Sequence, residues 1–273
     1  EKTIMLSSQD GSATKEYKVK VLRQSNDASL SALTTSTGSL SPAFSPTTMS
    51  YTVTVPYATT SLTVTGTADA TATMSPVDGK LEFTNLPLGF SDEKTIMLSS
   101  QDGSVTKEYK VKVVRQSNVA TLSGLTTSTG TLSPAFNAAT TSYTITVPYA
   151  TTSLTVTGTK ADTNATMTPS DGKLSFTGLS VGTSSEQTIK LTSEDGETTK
   201  EYKVKVVRQS NVATLSGLTT STGSLSPAFN ASTMSYTVTV PYATTSLTVT
   251  GTKADANATM TPSDGKLSFT GLS

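Results

Sequence analysis

The segment Ser50–Val55, SYTVTV, alternates apolar and hydroxyl side chains, with Tyr51, Val53 and Val55 in one set and Thr52 and Thr54 in the other. A period of two places the sets on opposite faces of an extended chain, so the segment predicts a half-buried strand. The same alternation recurs in Leu62 and Val64 of TSLTVTGT, in Leu81 and Phe83 of KLEF, and in Ile96 and Leu98 of KTIML. In TKEYKVKVVR, Tyr109, Val111 and Val113 alternate with Glu108, Lys110 and Lys112, which predicts a charged, wet outer face. Turn chemistry separates the runs at Pro56-Tyr57-Ala58, Asp78-Gly79 and Asp102-Gly103; Asp-Gly takes up the positive φ of a tight hairpin at little cost. With an irregular first strand carrying Leu30, Leu33, Leu40 and Phe44, and a short one around Met74, seven strands are predicted over residues 27–118.

The pattern then repeats. EYKVKV begins at Glu16, Glu108 and Glu201, and LSPAF at Leu40, Leu132 and Leu225, with spacings of 92 and 93 residues in both cases. Self-similarity at a fixed period is the signature of a tandem array. Aligned on these anchors, the chain divides into the last two strands of a repeat (1–26), two complete repeats (27–118 and 119–211) and the first five strands of another (212–273). Comparison between copies fixes which side chains point outward. Met5 and Met97 lie between the inward pairs Ile4/Leu6 and Ile96/Leu98, and the third copy places Lys190 there, which a buried site would not accept unpaired.

Composition narrows the chemistry. Ser and Thr fill 97 of 273 positions, whereas the apolar residues make up 34%; Thr suits strands with one wet face, so thin two-layered cores are expected. The chain has no Cys, no His and no Trp, which removes thiol nucleophiles, imidazole bases, the usual zinc sites and disulfides. Twenty basic residues balance twenty acidic ones, leaving no electrostatic footprint for nucleic acid. No apolar run approaches the roughly 20 residues of a membrane span, and the opening EKTIMLSS lacks the features of a signal peptide. No enzyme, no cofactor, no nucleic-acid partner and no membrane insertion are expected.

A unit of this size with seven short strands fits an immunoglobulin-like sandwich. The stretches LSGLTTSTGTLSPAFNAATTSYTITVPYATTSLTVTGT and TIKLTSEDGETTKEYKVKVVR resemble the cadherin-like β-sandwich repeats of bacterial cell-surface proteins, and the likeness extends over nearly the whole chain. The resemblance implies an all-β fold of tandem seven-stranded immunoglobulin-like or cadherin-like sandwiches, with incomplete units at both ends, in an extracellular, cell-surface setting. It implies a filament, stalk or adhesin shaft whose partners are identical chains or adjoining repeats, with glycans or a host or cell surface as further partners. A carbohydrate-binding or spacer module of a secreted multidomain protein is the alternative; Tyr57, Tyr149 and Tyr242 are its repeated aromatic candidates.

Calcium requires clustered oxygen ligands. The nearest approaches, Asp162 with Asn164 and Asp255 with Asn257, read as turn residues, and no metal is assigned. Asn164, Asn230 and Asn257 each open an Asn-x-Ser/Thr triplet that permits glycosylation. The junctions Arg23–Asn26, Arg115–Asn118 and Arg208–Asn211 contain neither Gly nor Pro and predict short connections of limited freedom. The partial units carry the most specific expectation: Ile4, Leu6, Tyr17, Val19 and Val21 are the inward residues of two strands, and Leu218, Phe229, Tyr236, Val238 and Val249 the core of a sandwich that wants those strands. An open sheet edge templates strand addition. The expectation is therefore a filament, formed either as a window on one continuous polymer or by head-to-tail strand completion between chains.

Overall fold

The computed structural model describes residues 1–272; Ser273, the last residue of the expected final segment, lies outside the described residues. By its internal contacts the chain falls into two compact units. One comprises Glu1–Thr121 with Lys160–Met167 and Leu191–Lys200, the other Leu122–Thr159 with Thr168–Lys190 and the chain from Glu201 onward.

The first unit opens with an antiparallel hairpin, β1 (Lys2–Ser7) and β2 (Thr14–Val19), in register from Lys2↔Val19 to Ser7↔Thr14. Nine strands follow: β3 (Leu30–Thr35), β4 (Ser39–Ser41), β5 (Ser50–Val55), β6 (Leu62–Ala68), β7 (Thr73–Ser75), β8 (Lys80–Phe83), β9 (Gly89–Phe90), β10 (Lys94–Ser99) and β11 (Thr106–Arg115). They build a three-stranded sheet, β3-β6-β8, and a larger sheet ordered β4-β5-β11-β10-β7 in which β9 also pairs with β11. The pairing of β11 with β5 is parallel, from Lys110↔Ser50 to Arg115↔Val55. The inward sets of the alternating strands close one core, with Leu30, Leu33, Tyr51, Val53, Val64, Phe83, Ile96, Leu98, Tyr109 and Val111 all buried. These are the residues that the period of two assigns to the inner faces.

The structure divides the predicted first strand into two pieces that belong to different sheets, β3 and β4, and adds the short β9. Gly38, with φ +81°, sits at the crossing, where a Cβ would lie 2.5 Å from the Thr54 carbonyl. Gly66 solves a different problem: a Cβ there would lie 2.7 Å from Ile96 Cδ1, so the missing side chain lets the two sheets close over Ile96. Tyr109, fully buried, donates its hydroxyl to the Pro46 carbonyl at 2.7 Å and accepts from the Leu30 amide at 3.2 Å. One side chain thus satisfies two loop groups inside an apolar core.

The next nine strands repeat the scheme: β12 (Leu122–Thr127), β13 (Thr131–Ser133), β14 (Ser142–Val147), β15 (Leu154–Lys160), β16 (Thr166–Thr168), β17 (Lys173–Phe176), β18 (Gly182–Thr183), β19 (Gln187–Thr192) and β20 (Thr199–Arg208). Their sheets are β12-β15-β17 and β13-β14-β20-β19-β16, with β18 on β20. Five more strands close the description: β21 (Leu215–Thr220), β22 (Ser224–Ser226), β23 (Thr237–Thr239), β24 (Ser246–Lys253) and β25 (Lys266–Thr270). Here β21-β24-β25 form the three-stranded sheet, while the second layer consists of the pair β22-β23.

Candidate assembly site: an exposed hairpin and an open sandwich

Hairpin β1–β2 folds by local means. Asp10 Oδ1 accepts hydrogen bonds from the Ser8 hydroxyl (2.6 Å), the Ser12 amide (3.1 Å) and the Ser12 hydroxyl (2.8 Å), and Gly11 adopts φ +71°. Those donors, the Ser8 hydroxyl first, lower the Asp10 carboxyl to about 2. The same turn recurs at Asp102, where hydrogen bonds from Ser104 and Ser100 again lower the carboxyl. What differs is the faces of the strands. Ile4, Leu6, Tyr17, Val19 and Val21 are exposed by 64%, 62%, 52%, 53% and 85%, whereas their counterparts Ile96, Leu98, Tyr109, Val111 and Val113 are all at 0%.

In the second unit, β21–β25 leave a groove of about 510 Å³ lined by Leu218, Leu225, Tyr236, Val238, Val249 and Phe269. Four of the five core residues expected there, Leu218, Tyr236, Val238 and Val249, line it together. The fifth, Phe229, does not line it and stacks on Tyr236 at 6.2 Å between ring centroids. Tyr236 also donates to the Asn230 carbonyl at 2.6 Å. Leu267 and Phe269 were not among the expected site residues, yet they are exposed here although their counterparts Leu81 and Phe83 are buried. The alternation in KLSF is the signal that marks them. Strand β23 covers three residues where β5 and β14 cover six, and Thr259–Thr261, the counterpart of β7 and β16, forms no strand. Both differences have one cause: β5 pairs along its full length with β11, and β7 is held by β10.

In each complete sandwich the arginine at the end of the last strand bonds two loop carbonyls. Arg115 Nε donates to the Tyr57 carbonyl (2.7 Å) and Nη1 to the Leu86 carbonyl (2.9 Å), with the guanidinium 4.6 Å from the Tyr57 ring centroid. Arg208 repeats these contacts with Tyr149 and Leu179. In the first unit the following junction is hydrogen-bonded to a hairpin tip. Ser117 N donates to Glu194 Oε2 (2.9 Å), Gln116 Nε2 to the Glu194 carbonyl (3.1 Å) and Asp195 N to the Ser117 carbonyl (3.2 Å). At the preceding junction Ser25 N donates to Gln101 Oε1 and Asp102 N to the Ser25 carbonyl. The second unit has a cleft of about 730 Å³ at the corresponding place, lined among others by Tyr149, Arg208, Ser210, Asp255 and Asn257.

Asp162 Oδ1 accepts from the Asn164 amide at 2.9 Å and Asp255 Oδ1 from the Asn257 amide at 2.9 Å, the geometry of a side-chain-capped turn. Among the described residues no three acidic, His or Cys groups gather in a way that would hold a metal ion. None of them forms a helix long and apolar enough to cross a membrane. Asn164, Asn230 and Asn257, which open the glycosylation triplets, are all exposed.

No curated protein matches the chain in sequence. Among solved structures, extracellular domains 3–5 of Drosophila OTK align at 13% identity with a TM-score of 0.32, over 58% of this chain and 60% of that one. A structure described as the basis for Dscam isoform specificity aligns at 8% identity with a TM-score of 0.28, over 80% of this chain and 74% of that one. The family profile of the cadherin-like β-sandwich domain matches three times, over residues 30–116, 122–209 and 215–267. By that threefold match, which takes in most of its length, the chain belongs to the cadherin-like β-sandwich domain family.

Proposed function

We propose that the chain is a structural or adhesive segment of an extracellular filament, stalk or adhesin shaft, in which repeats follow one another end to end and are continued by adjoining repeats or neighbouring chains. The observation that carries this reading is the repetition of one sandwich at 92 and 93 residues, with the same Arg-Gln-Ser-Asn junction each time. Burial of Tyr, Val, Leu and Ile between two sheets gives every copy its own stability, and the junction bonds of Ser25 and Ser117 join strand ends to hairpin tips. Tension applied along β11 loads six parallel residue pairs with β5 together rather than one after another. Domains of this kind are typically non-catalytic, and a chain without His or Cys fits that role. Immunogold electron microscopy of intact, unpermeabilised cells is the test. Label along surface appendages is expected, and label confined to the cell interior overturns the reading.

A carbohydrate-binding module is the second reading, because Tyr57 and Tyr149 are exposed at the same turn of successive repeats. Each of these rings already carries an arginine on one face, which favours the structural role. A glycan array decides between them: binding that disappears in Tyr57→Ala and Tyr149→Ala establishes the lectin reading, and an empty array leaves the shaft.

A further inference from the structure

We infer that Lys94 and Gln187 guard the exposed edge of each complete sandwich, holding the outward carbonyl of its edge strand so that a second copy of the chain cannot add a strand there. Both residues lie inside complete repeats, and the guard operates whatever larger structure the repeats build.

Strand β8 is outermost in the sheet β3-β6-β8, and β17 is outermost in β12-β15-β17. An outermost strand offers its unpaired main-chain groups to any extended segment. The phase of the ladder fixes which groups these are. Gly66 N donates to the Gly79 carbonyl at 2.9 Å, and in an antiparallel pair such bonded positions alternate with positions whose groups turn away. With Val64 opposite Leu81 and Thr63 opposite Glu82, Leu81 and Phe83 face β6, whereas Lys80 and Glu82 turn their N–H and C=O outward. The bond from Gly158 N to the Gly172 carbonyl, also 2.9 Å, sets the same phase in the second repeat, where Lys173 and Ser175 turn outward.

On each outward residue one of the two groups is already taken. Asp78 Oδ1 accepts from Lys80 N at 3.1 Å, and Lys94 Nζ donates to the Glu82 carbonyl. In the second repeat Asp171 Oδ1 accepts from Lys173 N at 3.0 Å, and Gln187 Nε2 donates to the Ser175 carbonyl at 2.9 Å. An added antiparallel strand needs both groups of a residue, because the facing pair exchanges two bonds. No register on β8 or β17 therefore gives a complete exchange. The guard comes from the opposite sheet: Lys94 and Gln187 open β10 and β19. The Phe83 ring helps to keep the Lys94 ammonium at the edge, 5.2 Å from the ring centroid.

Between the copies the donor changes from ammonium to amide while the bond stays. The residue that carries the carbonyl changes too, from Glu82 to Ser175, so what the repeats share at this place is the capped carbonyl and not a charge. The other edges are defended by different means. Strands β4, β7, β13 and β16 are three residues long and run into Pro42, Pro76, Pro134 and Pro169, which cannot donate to a ladder. Strand β3 carries a bulge between Leu30 and Ala32, which disrupts regular pairing. Nearly identical neighbouring domains need such protection, because misassembly between copies is a characteristic failure of repeat proteins.

The chain has no cysteine, so a single Glu82→Cys reports on β8 alone, and the counterpart Ser175 shows that a small neutral side chain is accommodated there. Two such strands meeting edge to edge bring the cysteine Cβ atoms within about 5.5 Å, close enough for a mild oxidant to link them. The whole chain carrying Glu82→Cys and Lys94→Met is expected to form disulfide-linked dimers about tenfold faster than Glu82→Cys, through loss of a charge-assisted bond. Glu82→Cys with Lys94→Gln, which removes the charge but keeps a donor, is expected to stay within about twofold of its parent. Circular dichroism establishes that each variant is folded, and Ser175→Cys with Gln187→Met repeats the comparison in the second repeat. A folded Met variant in either repeat that links no faster than its parent overturns the inference. So does a Lys94→Gln chain that links as fast as Lys94→Met, since charge repulsion rather than the bond then keeps copies apart.

Discussion

Asp10 and Tyr109 show at the scale of single residues how the repeat uses polar groups. Asp10 is wholly in water, yet three donors hold it charged, so the bonded turn is complete above the ordinary carboxyl value of 3.8 and is lost only as pH falls through about 2. A ¹³C carboxyl titration is expected to find its midpoint near 2, and Ser8→Ala to raise it; a midpoint at the ordinary value refutes the bonded turn. Tyr109 lies at the opposite extreme, with its hydroxyl inside the core. Tyr109→Phe leaves the Pro46 carbonyl and the Leu30 amide short of a partner and is expected to cost about 1–3 kcal/mol, measured by urea denaturation, with Tyr202→Phe costing a similar amount. The inward direction of both tyrosines is legible in EYKVKV. Their hydroxyl partners, more than 60 residues earlier in the chain, are not.

At the scale of elements, one sequence occupies two environments. KTIMLS forms β1 at the start of the chain and β10 in the intact repeat, yet β1 is paired on one side and exposed on both faces, while β10 lies between two strands over a closed core. A two-stranded hairpin is marginal in water, whereas core amides open only with the domain. In the polypeptide of residues 1–273, hydrogen exchange is expected to be at least about 1,000-fold faster at Thr3 and Met5 than at Thr95 and Met97, a ratio set by a domain stability of several kcal/mol. Equal protection refutes the contrast. Alternation located these strands but not their neighbours: nothing in SYTVTV states that it pairs in parallel with residues sixty positions later.

On the scale of the whole molecule, repetition makes mechanical behaviour periodic. Each complete repeat of about 92 residues is expected to release about 300 Å of chain when pulled open, from roughly 3.3–3.6 Å per residue less the length of the folded domain. Single-molecule stretching of the chain held by its ends is expected to show two equal steps of that size. Steps of unequal length, or one step for the whole chain, contradict independent sandwiches. Removing divalent cations with EDTA is expected to leave those steps unchanged, because Asp162 and Asp255 are engaged in turns by the following amides.

Period and pattern alone determined the class of fold, the number of copies and the inner face of nearly every strand, because burial on one side of a pleated chain writes itself into every second residue. Tertiary structure decided what alternation does not encode: that Gly38 passes the chain from one sheet to the other, that Gly66 yields its space to Ile96, and that Leu267 and Phe269 belong to the open groove. Sheet order, close approach and the fate of a strand without a neighbour depend on contacts between residues distant in sequence, and no local spacing records them.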